Sequence, residues 1–156
     1  RSGLAYWDRP SAYGIAFDGA GRAAVVYCQG KGCFLLGGGM EPGESEGDCI
    51  RREALEETGL TLTGYRCRGV VTFVSDRWPT EYMHLFTADG FTGDLRECEE
   101  GVLEWLPRER LLEIPHWEGD AIFLDLIWRD APFFSLKVCY EGDRLAGAVL
   151  NGRSIK

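Results

Sequence analysis

The chain has 156 residues, 45% hydrophobic and 27% charged, with 17 Lys and Arg against 25 Asp and Glu and a net charge of −8. That composition fits one globular domain over residues 1–156, and it excludes disordered, collagen-like and coiled-coil chains. The acidic surplus excludes a protein that coats DNA or RNA, so no nucleic-acid polymer is expected as a partner, and no apolar run approaches the roughly 20 residues of a membrane-spanning helix.

A chain of this size buries about 70% of the surface its unfolded form exposes and needs no metal or disulfide staple. The six cysteines are Cys28, Cys33, Cys49, Cys67, Cys98 and Cys139. They form no C-x-x-C pair, and His84 and His116 are the two histidines that could assist them, which argues against zinc. Scattered thiols in a chain able to build a core read as reduced, and with no secretory signal pattern at the start a cytoplasmic protein is expected.

Alternation and β-branched content predict strands near Ser11–Phe17, Ala23–Cys28 and Cys33–Leu36, with a turn at Asp18–Gly21 between the first two. Gly37–Gly39 is expected to break regularity. A helix follows, with Ser45 as N-cap, Asp48 three residues on, apolar positions at Cys49 or Ile50, Ala54 and Leu55, and Gly59 as its stop. Thr61–Val74 reads as extended, with Glu81–Ala88 as its partner strand. Gly101–Leu106 reads as a further strand, followed by a helical turn at Arg108–Leu112. Glu118–Arg129 reads as a second helix, with Ile122, Leu126 and Ile127 on one face. Phe133–Tyr140 and Arg144–Leu150 close the chain as a hairpin. Strands and two helices intermixed imply an α/β or α+β unit.

The chemistry concentrates in Gly38–Leu60. Glu53, Glu56 and Glu57 lie at i, i+3 and i+4, so a helix puts them on one face, where they repel unless something positive sits between them. Arg52 is expected to point elsewhere. Clustered hard oxygens without His or Cys select Mg2+ or Mn2+, ions that keep positions for water and substrate phosphates. Gly37, Gly38, Gly39 and Gly43 let the backbone come close to a metal or a phosphate, and Pro42 stiffens the approach. A solvated acidic face is the competing reading of the glutamates alone.

The spacing G-x5-E-x7-R-E-x2-E-E-x-G, filled by Gly38, Glu44, Arg52, Glu53, Glu56, Glu57 and Gly59, resembles the signature of the Nudix hydrolases. The order of strands and helices around it is similar to that family over nearly the whole chain. The resemblance implies an α/β fold, a Nudix-type α/β/α sandwich with a mixed β-sheet. It implies Mg2+ or Mn2+ held by Glu53, Glu56 and Glu57, with the Gly37 carbonyl beside them, structural roles for Glu44 and Gly59, and for Arg52 the orienting of a motif carboxylate, Glu53. The implied reaction is metal-assisted attack of water on a nucleoside diphosphate linkage. A motif glutamate or Glu100, in the stretch Arg96–Gly101, would serve as base and could join the metal set.

In its C-terminal half, Glu104-Trp105-Leu106-Pro107, Trp117-Glu118-Gly119-Asp120 and Pro132-Phe133-Phe134-Ser135 resemble the MutT-like branch, which cleanses oxidised purine nucleotides such as 8-oxo-dGTP. By position, Trp117 would stack on the base and Asp120 would read its edge, with Gly38 and Gly39 near the phosphates. Core packing is the competing role for Trp117 and a first-turn helix charge for Asp120. Phe73, Trp78 and Tyr82 are further candidates for the base pocket, with core packing as the favoured role for each. Two departures stand out. Phe34-Leu35-Leu36 replaces an Asn found before the glycine loop in some oxidised-purine enzymes, and Gly119 stands where some carry a second acidic residue. The expectation is a nucleoside triphosphate pyrophosphohydrolase acting on a small nucleotide, as a monomer or homodimer. The alternatives are hydrolysis of a sugar nucleotide or dinucleoside polyphosphate, or a non-catalytic nucleotide sensor.

Overall fold

A turn at Asp18–Gly21 separates the first two strands and sends them into different sheets. The Asp18 carboxylate accepts the N–H groups of Ala20 at 3.0 Å and Arg22 at 2.8 Å, and Gly21 takes a left-handed φ of 78°. The computed structural model describes residues 9–28, 31–94 and 102–156.

The first part of the chain forms β1 (Arg9–Ala16), β2 (Arg22–Cys28), β3 (Lys31–Cys33), β4 (Leu36–Gly39), α1 (Glu46–Thr58), β5 (Thr61–Ser75) and β6 (Glu81–Thr92). The second part forms β7 (Val102–Pro107), a 3-10 helix at Arg108–Glu113, α2 (Asp120–Trp128), β8 (Phe134–Glu141), β9 (Arg144–Leu150) and β10 (Arg153–Ser154). Among the described residues, seven strands make one mixed sheet in the order β10-β9-β8-β5-β6-β1-β4, and β3-β2-β7 makes a smaller antiparallel sheet. The β1–β6 and β5–β8 pairs are parallel and the other pairs are antiparallel. No helix among the described residues is long and apolar enough to cross a membrane.

Period-2 alternation divides the core. Ala12 and Ala16 of β1, with Phe86 and Ala88 of β6, pack against Cys49, Ile50 and Ala54 of α1. Ile15, Val71, Leu85 and Leu136 face the other way and pack against Phe123, Leu124 and Leu126 of α2. The two helices therefore cover opposite faces of the large sheet. Small residues bring α1 close: a Cβ added at Gly14 would lie 3.1 Å from the Ile50 side chain.

Three local expectations need correction. Cys33–Leu36 is not one strand: β3 ends at Cys33, β4 starts at Leu36, and Phe34–Leu35 carry the chain from the small sheet to the large one. Gly37–Gly39 does not break regularity. It pairs with β1 in the register Ser11↔Gly39, Ala12↔Gly38 and Tyr13↔Gly37. Glycine is required there by crowding: at Gly37, with φ 148°, a Cβ would sit 2.0 Å from the Ala12 carbonyl oxygen. The second helix begins at Asp120 rather than Glu118, whose carboxylate accepts the Leu145 N–H at 3.0 Å.

Candidate active site

Helix α1 starts and stops where its caps predict. The Ser45 hydroxyl accepts the Asp48 N–H at 3.1 Å, and Gly59, with φ 82°, donates its N–H to the Leu55 carbonyl at 2.9 Å. This frame sets the glutamate face against β4. A Cβ added at Gly38 would lie 2.7 Å from Glu53 Oε1, so the absence of a side chain there makes room for that carboxylate. The Gly37 N–H points at both Glu57 oxygens, 3.3 Å from each, and Glu57 is buried. Glu56 is exposed at the rim. The buried Cys49 thiol donates toward the Gly38 and Gly39 carbonyls, and burial pushes its pKa up to about 11, so it stays a thiol.

Arg52 does not point away from this cluster. Its Nε and Nη2 bind the two Glu44 oxygens at 2.8 and 3.0 Å, Nη1 reaches Glu53 at 3.1 Å and Glu56 at 3.5 Å, and Nη2 also meets the Gly39 carbonyl at 3.4 Å. The cause is spacing: Glu56 is four residues on from Arg52 and shares its side of the helix. The paired guanidinium, then the Glu41 N–H, hold the Glu44 carboxyl down at about 2. Glu44, through its fork-to-fork bond, holds Arg52 in a single pose beside Glu53.

The donor chemistry of Glu53, Glu56 and Glu57 suits a hard divalent cation, and the glycine strand leaves room beside them. With Glu53 and Glu56 leaning on Arg52 and Glu57 on the Gly37 amide, no three of the described Asp, Glu, His or Cys side chains stand ready-gathered as metal ligands. An ion would draw the carboxylates off these partners. Glu100 lies outside the described residues.

The opposite face of the sheet carries a cavity of about 510 Å3. Phe73, Trp117 and Asp120 all line it, with Trp78 at its mouth. Tyr82 is not among the lining residues, because alternation on β6 turns it to the other side of the strand from Glu81 and Met83. Trp117 meets Phe73 and Tyr140 edge-on, with ring centroids 5.3 and 4.9 Å away, yet remains 39% exposed, so one side of the indole is open. Asp120 accepts the Trp117 N–H at 3.3 Å. Burial raises the Asp120 pKa to about 6, against the opposing pull of that N–H and of His116.

Gly119 also has a local cause. Its N–H donates to the Tyr140 hydroxyl at 2.8 Å, and a Cβ at 119 would lie 2.7 Å from that same oxygen. Burial pushes the Tyr140 pKa up to about 12. Tyr140, Met83, Glu81 and Tyr13 are lining residues that sequence reasoning did not single out. Their signal was alternation: Glu81 and Met83, like Val71 and Phe73, sit two apart on the face toward α2. The two halves of the site meet at one place. Leu35 and Tyr13 line the cavity, Leu35 stands two residues before Gly37, and Tyr13 pairs with Gly37 across β1 and β4.

A family model of the NUDIX domain matches residues 7–127. The chain belongs to the Nudix family. This Nudix chain is 38% identical over 98 residues to the uncharacterized Nudix hydrolase YvcI of Bacillus subtilis strain 168, covering 60% of the chain and 62% of that protein. It is 30% identical over 100 residues to the oxidized purine nucleoside triphosphate hydrolase of Danio rerio, covering 63% of the chain and 64% of that protein. It thus spans somewhat under two thirds of the length of these relatives. Among solved structures it is similar to a MutT protein from Bacillus halodurans, with a TM-score of 0.81 and 23% identity, over 92% of the chain and 97% of that structure. A MutT protein from Methanosarcina mazei Go1 aligns with a TM-score of 0.63 and 24% identity, over 81% of the chain and 94% of that structure. At these identities the likeness speaks for the fold: the mixed sheet with helices is the one these MutT proteins share, as the motif implied.

Proposed function

We propose that this chain, as a single Nudix domain, is a pyrophosphohydrolase that uses Mg2+ or Mn2+ to cleave a nucleoside triphosphate to the monophosphate and pyrophosphate, with purines, oxidised ones included, as the favoured base class. The observation that carries this reading is the junction at Gly37. There a carboxylate-bearing helix face and an aromatic cavity sized for a small-molecule ligand meet through Tyr13 and Leu35. The relatives named as hydrolases of oxidised purine nucleoside triphosphates support it.

Glu53, Glu56 and Glu57 are the groups that would hold the ion. When bound, the ion supplies positive charge to the diphosphate and acidifies the attacking water. Arg52, anchored by Glu44, orients the Glu53 carboxylate. Gly38 and Gly39 give the phosphates a close approach to the backbone. A motif glutamate or Glu100 accepts the proton of the water. On the other face, Trp117 stacks on the base, supported edge-on by Phe73, and Asp120 hydrogen-bonds its edge.

The test is a panel of 8-oxo-dGTP, dGTP, dATP, a sugar nucleotide and a dinucleoside polyphosphate, each with Mg2+ and Mn2+. Hydrolysis of a purine triphosphate with pyrophosphate as co-product is expected. No turnover of any triphosphate would sink the reading, and equal rates with 8-oxo-dGTP and dGTP would remove oxidised purines as a preference.

A further inference from the structure

Among the described residues, Oε1 of Glu81 is the buried side-chain oxygen or nitrogen without a hydrogen-bond partner. Folded proteins leave few buried acceptors unpaired, and each one asks for an explanation. Glu81 opens β6 and lines the cavity together with Met83, two residues on. Its neighbour in the β5–β6 register is Phe73, the residue that packs edge-on against Trp117. The carboxylate therefore enters beside the aromatic wall of the candidate base site.

Asp120 enters the same cavity from the first turn of α2, and one of its oxygens is engaged by the Trp117 N–H. No Lys or Arg is among the described lining residues, and His116 is the only residue there that could carry a positive charge. Two carboxylates in a largely aromatic and aliphatic chamber, one with an unclaimed oxygen, call for hydrogen-bond donors on the ligand. Neutral donors that stack between aromatic rings are the N–H groups of a nucleobase. Guanine presents a ring N–H beside an exocyclic amino group, two adjacent donors for two acids, whereas hypoxanthine lacks the amino group.

Resting on the function proposed above, we infer that Glu81 is a specificity-determining residue of this cavity, whose Oε1 accepts a hydrogen bond from the exocyclic amino group of a guanine-type base. Guanine-type triphosphates are then the substrate class, and the amino group is the feature read from the β6 side. The base is clasped from two walls, by α2 through Asp120 and by β6 through Glu81.

The test compares dGTP with dITP, which differ by that amino group. It uses kcat/KM with Mg2+ and, separately, the Kd of non-hydrolysable analogues of both, in wild type, Glu81→Met and Glu81→Gln. Wild type is expected to favour the guanine nucleotide by about 10- to 100-fold in Kd and KM, the range of a hydrogen bond to a charged group. Glu81→Met is expected to bring that ratio to within about twofold, and Glu81→Gln, with a neutral acceptor, to lower it several-fold. A wild type indifferent to the amino group, or variants that weaken both nucleotides equally, overturns the assignment. If Glu81→Met does not fold, Glu81→Gln decides: a reduced ratio supports the role, and an unchanged ratio overturns it. Absence of hydrolysis with retained discrimination in Kd would sink the pyrophosphohydrolase reading and leave Glu81 standing. Failure of both analogues to bind would overturn the inference about Glu81.

Discussion

The two faces of the central sheet are built for different tasks. Toward α1 the strands carry Ala12, Gly14 and Ala16, so the helix sits low and its ionised side chains gather at the glycine strand. Toward α2, β1, β5 and β6 carry Tyr13, Phe73 and Met83, which line the cavity together with Asp120 and Phe123 of α2. The difference teaches a division of labour. Substitutions on the α1 face should change how fast any substrate is cut, whereas substitutions on the α2 face should change which base is accepted.

The largest expected effect breaks the first half of that division. Glu57→Gln or Glu56→Gln should lower kcat by about 1,000-fold for every nucleotide in the panel, because an ion at this point supplies several kcal/mol of transition-state stabilisation. Steady-state kinetics at saturating Mg2+ would read it, and near-normal turnover in both variants would remove these residues from the metal set.

Next comes Asp120, whose titration gives the α2 face a pH dependence. The folded chain keeps this proton up to about 6, while an unfolded chain releases it near 3.8. The contribution of Asp120 to stability is then most favourable below pH 3.8, declines as pH rises to about 6, and is level above that. Asp120→Asn should abolish the decline and raise stability at pH 7 by up to about 3 kcal/mol, while losing discrimination between bases. Denaturant melts from pH 3.5 to 7.5 would test this, and parallel curves for the two proteins would refute it.

Trp117→Ala should raise KM by about 10- to 100-fold with a smaller change in kcat, the size of one lost stacking interaction. A fall confined to kcat would place the indole outside the base site. On the α1 face, the depressed Glu44 carboxyl adds stability above pH 4.5 that is lost as pH falls toward about 2. Glu44→Gln should flatten that acid limb in a thermal melt series, and a steeper limb would contradict the pairing with Arg52. The smallest effect is Tyr140→Phe, which removes the acceptor of the Gly119 N–H and should cost about 1 kcal/mol in chemical denaturation.

The two faces also differ in how much of them the sequence disclosed. The α1 face was legible because its chemistry lies within one helix and the strand before it, where a 3.6-residue period and a fixed glycine spacing encode geometry directly. Ser45, Gly59 and the buried positions Cys49, Ile50 and Ala54 fell where the sequence put them, whereas Leu55, expected among the apolar positions, is exposed. What it did not encode was how far Arg52 reaches, since a long side chain chooses among carboxylates that several elements supply. The α2 face was legible only through resemblance, at Phe73, Trp117 and Asp120. Glu81, Met83 and Tyr140 come from strands far apart in the chain, and their meeting depends on the parallel β5–β8 pairing and on the β5–β6 register with its bulges. Alternation names the face such residues share, but not the neighbour they will meet on it. The glycine strand failed for a related reason: three glycines in a row read as a break, whereas crowding by Ala12 at Gly37 and by Glu53 at Gly38 makes glycine the residue that the strand can hold at those two positions.

The contact between Gly119 and Tyr140 constrains the history open to this site. A side chain introduced at 119 would put its Cβ 2.7 Å from the phenol oxygen and 3.0 Å from a Val138 methyl, so Gly119→Asp alone should be poorly tolerated unless both neighbours give way. A second acid on the helix side therefore asks for room at 138 and 140 as well, so a library that randomises all three positions together should yield it more readily than one that varies 119 by itself.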